Sequence, residues 1–226
     1  MNKYFCTNRN NNYRNEVEQI LTSRKQEILD FFTVIDDGQF NFNIFIYDTI
    51  GDLVNGMKNR GFDKMPDYMC ACYKDEDNSL NFFEPKDNPN ENEWSKEEYR
   101  DVVFHEEIHA IQSIIYGKQP EWLTEGIAKY LDGTYSKGIK YLLNEYVNKI
   151  DIPPMDELEN EFGMHDYDSY DYAYLMVSYL IEKLGKDNFL VAIKSKDTIE
   201  ELNKNLVFKA INYYNKRFES TTIKRR

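Results

Sequence analysis

The sequence predicts an α+β fold, in which a small mixed sheet with helices comes first and a helical lobe follows. Residues 40–47 alternate between apolar and polar side chains, and residues 15–33 carry apolar side chains at helical spacing. From Ser95 onward nearly every segment has helical periodicity, and the chain contains no internal repeat and no Pro- or Gly-rich linker. We therefore expect one domain over residues 1–226, with a sheet-containing lobe over about 1–94 and a helical lobe over about 95–226.

The elements of the first lobe follow from apolar spacing. In chain order we assign a helix, a strand, a short helix and two strands, over residues 15–33, 40–47, 49–60, 68–74 and 79–85. The apolar face of the first strand consists of Phe40, Phe42, Ile44 and Ile46. Gly61 ends the short helix, and a polar turn over 75–78 joins the last two strands. We expect the Asn-rich start of the chain to be a frayed lead-in.

The helical lobe begins with a helical hairpin. Ser95 and Glu98 form a capping box at the start of a helix that extends to about Tyr116. Gly117 ends this helix, and Pro120 opens a second helix that extends to about residue 132. Further helices are expected over residues 137–148, 155–161, 168–184, 186–194 and 204–218.

Charge and composition limit the classes of partner. The formal net charge of −12 disfavours nucleic acid and anionic membranes, because both attract basic surfaces. The three cysteines lack the spacing of a zinc knuckle or a redox motif and are expected to be reduced. The start lacks the apolar region of a signal peptide, so we expect a cytoplasmic protein if the chain is complete, and a secreted one if a signal peptide was removed. Oligomeric state is not indicated.

Two of the three histidines lie four residues apart, in the motif His105-Glu106-Glu107-Ile108-His109. On a helix this spacing places both imidazoles on one face, about 6 Å apart, where they can bind one metal ion. Glu106 points elsewhere and is placed to act as general base toward a metal-bound water. The alternative is a pair of partly buried structural histidines.

Glu125 is the expected third ligand. It lies in the segment WLTEG on the returning helix of the hairpin. His109 is about 10 Å before the end of the first helix and Glu125 about 8 Å into the second, so an antiparallel hairpin brings them level. Glu121 is the nearest rival, but an acid in the first turn is explained by the helix dipole.

These two motifs resemble those of the gluzincin metallopeptidases, specifically the peptidase MA-like and aminopeptidase-type branch. The resemblance implies a thermolysin-like catalytic domain with one Zn²⁺ ion held by His105, His109 and Glu125, and Glu106 as catalytic base and acid. It implies peptide or protein substrates, with no nucleic-acid or membrane partner. Asp132 occupies the position of an acid that orients a histidine ligand in the family, or else it is simply a helix-ending residue.

The family also implies a tyrosine that stabilises the oxyanion, shortly before a helix that ends in Leu-Gly. Counting back from Gly185 assigns this role to Tyr170. The alternatives are His165, Tyr167 and Tyr174, which lie close by in the sequence.

Family members present an edge strand to which an extended substrate adds as a further strand. The resemblance assigns this role to the strand over 79–85, with Asn81, Phe82, Phe83 and Glu84 along it. The chain lacks the G-x-M-E-N signature of the aminopeptidases, so endopeptidase and aminopeptidase activity both stay open. The alternative to an enzyme is a non-catalytic, zinc-stabilised domain that binds a peptide or protein.

Overall fold

The computed structural model describes residues 1–6, 11–62, 70–86, 94–133, 139, 155–160 and 169–223. The chain divides into two compact units, Met1–Gly117 and Lys118–Arg226. The described part of the first contains a small sheet and three helices, and the described part of the second is helical. The mixed α+β composition predicted from the sequence is confirmed. The first helix of the hairpin, which the sequence places in the helical lobe, belongs to the unit that contains the sheet.

The sheet of the first unit has four strands in the order β1-β2-β4-β3. These strands are β1 (Lys3–Cys6), β2 (Asn43–Tyr47), β3 (Cys72–Lys74) and β4 (Ser79–Phe83). β1 is parallel to β2 and β2 is parallel to β4, whereas β3 is antiparallel to β4. The apolar face predicted for the strand over residues 40–47 is buried. Its four residues, Phe40, Phe42, Ile44 and Ile46, are each at most 2% exposed.

The prediction that residues 79–85 form an exposed edge strand is wrong. β4 pairs with β2 on one side and with β3 on the other, and all five of its side chains are buried. Asn81, Phe82 and Phe83 lie within this interior strand, and Glu84 follows it. Among the described strands, β3 forms the edge next to β4. Strand order depends on partners from distant parts of the chain, so a run of five residues does not reveal it.

The polar residue Asn81 occupies the interior strand because it is hydrogen-bonded there. Its Nδ2 donates to the carbonyl of Cys72 at 3.3 Å and to Oγ of Ser79 at 3.0 Å. Its Oδ1 accepts from the guanidinium of Arg60, which also donates to Asp77 at 2.8 Å. This network links β4 to Cys72 at the start of β3 and to Arg60, which directly follows the helix Ile50–Asn59.

The start of the chain is also different from the prediction, because residues Lys3–Cys6 form β1 rather than a frayed lead-in. The Lys3 N–H donates to the carbonyl of Phe42 at 3.0 Å. The ring of Phe5 stacks on that of Phe45, with centroids 4.6 Å apart. The pairing partner β2 lies about 40 positions further along the chain, so no local pattern indicates it.

Among its described residues, the first unit also has three helices: α1 (Asn11–Phe32), α2 (Ile50–Asn59) and α3 (Lys96–Tyr116). α3 packs against α1 and against β3 and β4, whereas α2 packs against β2 and β4. The capping box predicted for α3 is present, with the Glu98 N–H donating to Ser95 Oγ at 3.2 Å and the Ser95 N–H donating to Glu98 at 3.0 Å. The start of the motif helix is therefore fixed by its own sequence.

The described helices of the second unit are α4 (Glu121–Asp132), α5 (Met155–Asn160), α6 (Ser169–Leu184), α7 (Lys186–Ala192), α8 (Lys196–Asn203) and α9 (Leu206–Ile223). They match the predicted helices except for α8, which the sequence assignment missed. The helix predicted over 137–148 lies outside the described residues, apart from residue 139. No helix in the described parts of the chain is long and apolar enough to cross a lipid bilayer.

Gly126 determines how closely α4 approaches α6. A Cβ atom at this position would lie 2.5 Å from the carbonyl oxygen of Ala173 and 2.5 Å from Cγ2 of Val177. Any larger residue would therefore push the two helices apart. The glycine of the WLTEG segment is explained by this packing, one residue after the expected ligand Glu125.

Candidate metal centre

Helix α3 directs His105 and His109 toward one point. Their Nε2 atoms are 2.9 Å apart, and the two ring planes are inclined by 83°. Both residues are half-buried. The backbone that carries them is held by neighbours on the buried side of the helix, namely Val103, Phe104, Ile108 and Ile111, each with no exposed surface.

Glu125 completes a group of three possible ligands. The metal-binding atoms of His105, His109 and Glu125 all lie within 4.8 Å of one another, and all three residues are half-buried. Two imidazole nitrogens bound to one tetrahedral zinc ion would be about 3.3 Å apart, so the two histidines need to separate by only a few tenths of an ångström. Two imidazoles and one carboxylate are also a donor set found in catalytic zinc sites. These residues fit a divalent metal ion.

Glu121, the rival for the third ligand, is exposed in the first turn of α4. Burial and the nearby carboxylate of Glu125 raise its pKa. It does not belong to the group of three.

Glu106 faces the edge strand of the sheet. Its Oε2 accepts a hydrogen bond from the backbone N–H of Tyr73 in β3, at 2.8 Å. The carboxylate is half-buried, and this bond fixes its orientation. The carboxylate one position after His105 is thus held by the backbone of a strand.

The neighbouring residue Glu107 has a different environment. It is only 1% exposed, and its Oε2 has no hydrogen-bond partner among the described residues. Burial raises the pKa of Glu107 well above its ordinary value, and the positive charges of Lys25 and Arg24 offset this only in part. Glu107 is therefore a core residue on the side of α3 that packs against α1, whereas Glu106 is half-buried and faces β3.

Asp132 is both the last residue of α4 and a buried carboxylate. Its side chain has no exposed surface and lies 3.9 Å from the Nζ of Lys129. The helix ends immediately afterwards, because Gly133 adopts a left-handed conformation with φ of 77°. An acid at the C-terminal end of a helix is disfavoured by the helix dipole, so its burial there is not explained by helix termination alone.

Tyr170 lies in the first turn of α6 and is half-buried. Its ring centroid is 5.4 Å from the Nζ of Lys129, which places it beside α4. Tyr174, one turn later, is also half-buried, and burial raises its pKa. His165 and Tyr167, which the sequence also offers for the oxyanion role, lie outside the described residues.

The motif analysis missed two residues that contact the edge strand or belong to it. Tyr73 supplies the N–H that binds Glu106, and the hydroxyl of Tyr99 donates to the carbonyl of Cys70 at 2.6 Å. Tyr99 precedes Glu106 by seven residues, so both lie on the same side of α3. This spacing is visible in the sequence, but only the fold identifies which element that side of the helix faces.

Comparison with known proteins identifies the family. The family model of the Peptidase MA superfamily matches residues 87–214, which is more than half of the 226-residue chain. No curated protein is significantly similar to the chain. The family indicates a metallopeptidase-like function with peptides or proteins as substrates, in agreement with the His-His-Glu group. The resemblance inferred from the two sequence motifs is therefore confirmed, and the chain belongs to the Peptidase MA superfamily.

Proposed function

We propose that the protein is a zinc-dependent peptidase of the gluzincin type. His105, His109 and Glu125 would hold one Zn²⁺ ion, and Glu106 would act as general base. The observation that carries this proposal is the grouping of three suitable ligand atoms within 4.8 Å of one another. Two of them belong to α3, the helix that also carries the oriented carboxylate of Glu106. The family match supports a peptidase independently of this geometry.

Bound zinc would supply Lewis-acid polarisation of water and of the scissile carbonyl. Glu106 takes a proton from the attacking water and later gives it to the leaving nitrogen, so one side chain serves both halves of the reaction. The Tyr73 N–H holds the carboxylate in one orientation at 2.8 Å. Such fixed geometry removes the need to order the base during each turnover.

We assign the substrate edge to β3 in place of the interior strand β4. A peptide in extended conformation can add, by backbone hydrogen bonds, to the side of β3 that does not pair with β4. On that side the Glu106 carboxylate already accepts from the Tyr73 N–H. Because the sequence lacks the G-x-M-E-N signature, the substrates to compare are peptides with a free and with an acetylated amino terminus.

Two further residues have roles in this proposal. The hydroxyl of Tyr170 donates to the oxyanion that forms when water attacks the carbonyl. The carboxylate of Asp132 orients a histidine ligand, which is supported by its burial at a helix end where the dipole disfavours it.

The central experiment compares Glu106→Gln with Glu107→Gln. Both substitutions replace a carboxylate by an amide of the same shape, one residue apart on α3. Glu106→Gln should retain zinc and lose at least about 10²-fold in kcat, because the amide does not accept the proton of water. Glu107→Gln should retain near-normal kcat, since Glu107 is buried against α1.

Elemental analysis measures how much zinc each variant retains. Cleavage of a mixed peptide library measures its activity separately. An undiminished rate in Glu106→Gln would contradict the assigned base. Zinc bound at a site closed by a fourth protein ligand, without cleavage by the unmodified protein, would instead identify a non-catalytic peptide-binding domain.

A further inference from the structure

The ladder between β3 and β4 ends at Cys72 and Asn81, and a side chain of the motif helix lies just beyond that end. The register pairs Cys72 with Asn81 and Lys74 with Ser79, and extending it by two residues places Cys70 opposite Phe83. In antiparallel strands every second pair is joined directly by backbone hydrogen bonds, and Cys70 and Phe83 would be such a pair.

The hydroxyl of Tyr99 takes the place of that direct bond. It accepts from the N–H of Phe83 at 3.2 Å and donates to the carbonyl of Cys70 at 2.6 Å. The side chain is firmly held, since it has no exposed surface and its ring packs on that of Phe83 with centroids 4.8 Å apart. Burial raises the pKa of Tyr99 well above its ordinary value, so the hydroxyl keeps its proton and stays a donor.

A second side chain of α3 binds the same strand. Glu106 follows Tyr99 by seven residues, which corresponds to about 10.5 Å along the helix. Tyr73 follows Cys70 by three residues, which corresponds to about 10 Å along an extended strand. The spacing of Tyr99 and Glu106 along the helix therefore matches the spacing of Cys70, two residues before β3, and Tyr73, within β3. This segment of the chain runs alongside α3.

The hydroxyl of Tyr73 is bonded within the hairpin itself, because it donates to Oδ1 of Asn78 in the turn before β4, at 3.2 Å. The edge strand and the residues just before it are thus attached to the histidine-bearing helix by two polar side chains seven residues apart, Tyr99 and Glu106.

We propose that Tyr99 is a positioning residue for the peptidase reaction. Its hydroxyl keeps the start of β3 apart from β4 and against α3, so that the Tyr73 N–H meets the Glu106 carboxylate. This inference rests on the proposed function, because it assigns β3 and Glu106 their roles in catalysis. Without the hydroxyl, Phe83 and Cys70 can form the direct bond, with nitrogen and oxygen about 2.9 Å apart. β3 then moves toward β4 and away from Glu106.

The experiment uses Tyr99→Phe, which removes only the hydroxyl, in the full-length zinc-loaded protein. Tyr116→Phe is the matched control, because Tyr116 is another tyrosine on α3, is half-buried and packs on Phe32 of α1. The first measurement is amide hydrogen exchange at Tyr73. We expect it to accelerate at least about tenfold in Tyr99→Phe and to be unchanged in Tyr116→Phe, since an amide that loses its acceptor exchanges faster. Unchanged exchange at Ile44, in the core of the sheet, shows that the fold is intact.

The second measurement is steady-state cleavage of a peptide that the unmodified protein cleaves. Because misplacing a catalytic group by about 1 Å can cost on the order of 10²-fold, we expect kcat of Tyr99→Phe to fall by about 10-fold to 100-fold, with zinc content unchanged. A merely structural tyrosine would lower the melting temperature and leave kcat and Tyr73 exchange unchanged. That result would overturn the proposal, and so would faster exchange with a normal kcat. If the unmodified protein cleaves no peptide, the proposed function fails, whereas the exchange arm still reports whether Tyr99 holds β3.

Discussion

Replacing Gly126 by alanine tests how closely helix α4 packs on helix α6. The new methyl group would lie 2.5 Å from the carbonyl oxygen of Ala173 and 2.5 Å from Cγ2 of Val177, whereas side-chain carbons essentially never come closer than 3.0 Å. One of these neighbours is backbone, so rotation of a side chain does not relieve the contact. The two helices must therefore separate locally.

The change in the free energy of unfolding follows from two opposing effects. Overpacking of this kind costs about 1–3 kcal/mol, whereas replacing glycine by alanine inside a helix contributes about 1 kcal/mol of stability. Because one of the two neighbours is backbone, the cost should lie in the upper part of that range, about 2–3 kcal/mol. We therefore expect a net loss of about 1–2 kcal/mol, which lowers the melting temperature of a domain of this size by about 2–8 °C. Thermal unfolding in the presence of a chelator measures this change without a contribution from bound metal.

Gly51→Ala is the control, because Gly51 also lies in a helix but has room for a methyl group. Its nearest neighbour would be the Oγ1 of Thr49, at an ordinary contact distance of 3.6 Å. This variant should be as stable as the unmodified protein or slightly more stable. The close packing of α4 on α6 would be refuted if Gly126→Ala behaved in the same way.

Three other substitutions test single residues. Asp132→Asn should weaken zinc binding by about 10-fold to 100-fold in competition with a chromogenic chelator, and an unchanged affinity would identify Asp132 as a helix-ending residue only. Tyr170→Phe should lower kcat by about 10²-fold with little change in KM, whereas Tyr174→Phe should leave kcat unchanged. Equal effects of the two substitutions would contradict the assignment of Tyr170. Ser95→Ala should reduce the free energy of unfolding in urea by about 1 kcal/mol, because α3 loses its capping box, and an unaltered midpoint would show that the box is not needed.

Much of the fold could be predicted from local sequence. The strand β2 follows from strict alternation, since Ile44 and Ile46 must both reach the core. The start of α3 follows from Ser95 and Glu98, which satisfy each other within one helical turn. The grouping of the histidines with Glu125 also follows from spacing, because it requires only helix geometry and a short connection.

The order of the strands could not be predicted in the same way. β4 carries polar and apolar residues that suit an edge as well as an interior position, and its interior place depends on β2 and on hydrogen bonds to Asn81. β1 pairs with a strand far along the chain. The role of Tyr99 depends on a contact between a helix and a strand edge, and a tyrosine in a helix has no pattern that distinguishes such a contact from ordinary packing.

The parallel pairing of β1 with β2 and of β2 with β4 has a consequence for how the chain folds. Lys3 pairs with Asn43 and Asn43 pairs with Ser79, so each of these two pairings closes a long stretch of chain before it gains any hydrogen bonds. β3 and β4 are joined by a short turn, and such hairpins form within about 1–10 μs. We therefore expect the hairpin to form early and β1 to join last. The edge that carries Tyr73 is thus assembled from nearby residues and does not wait for the slowest step of folding.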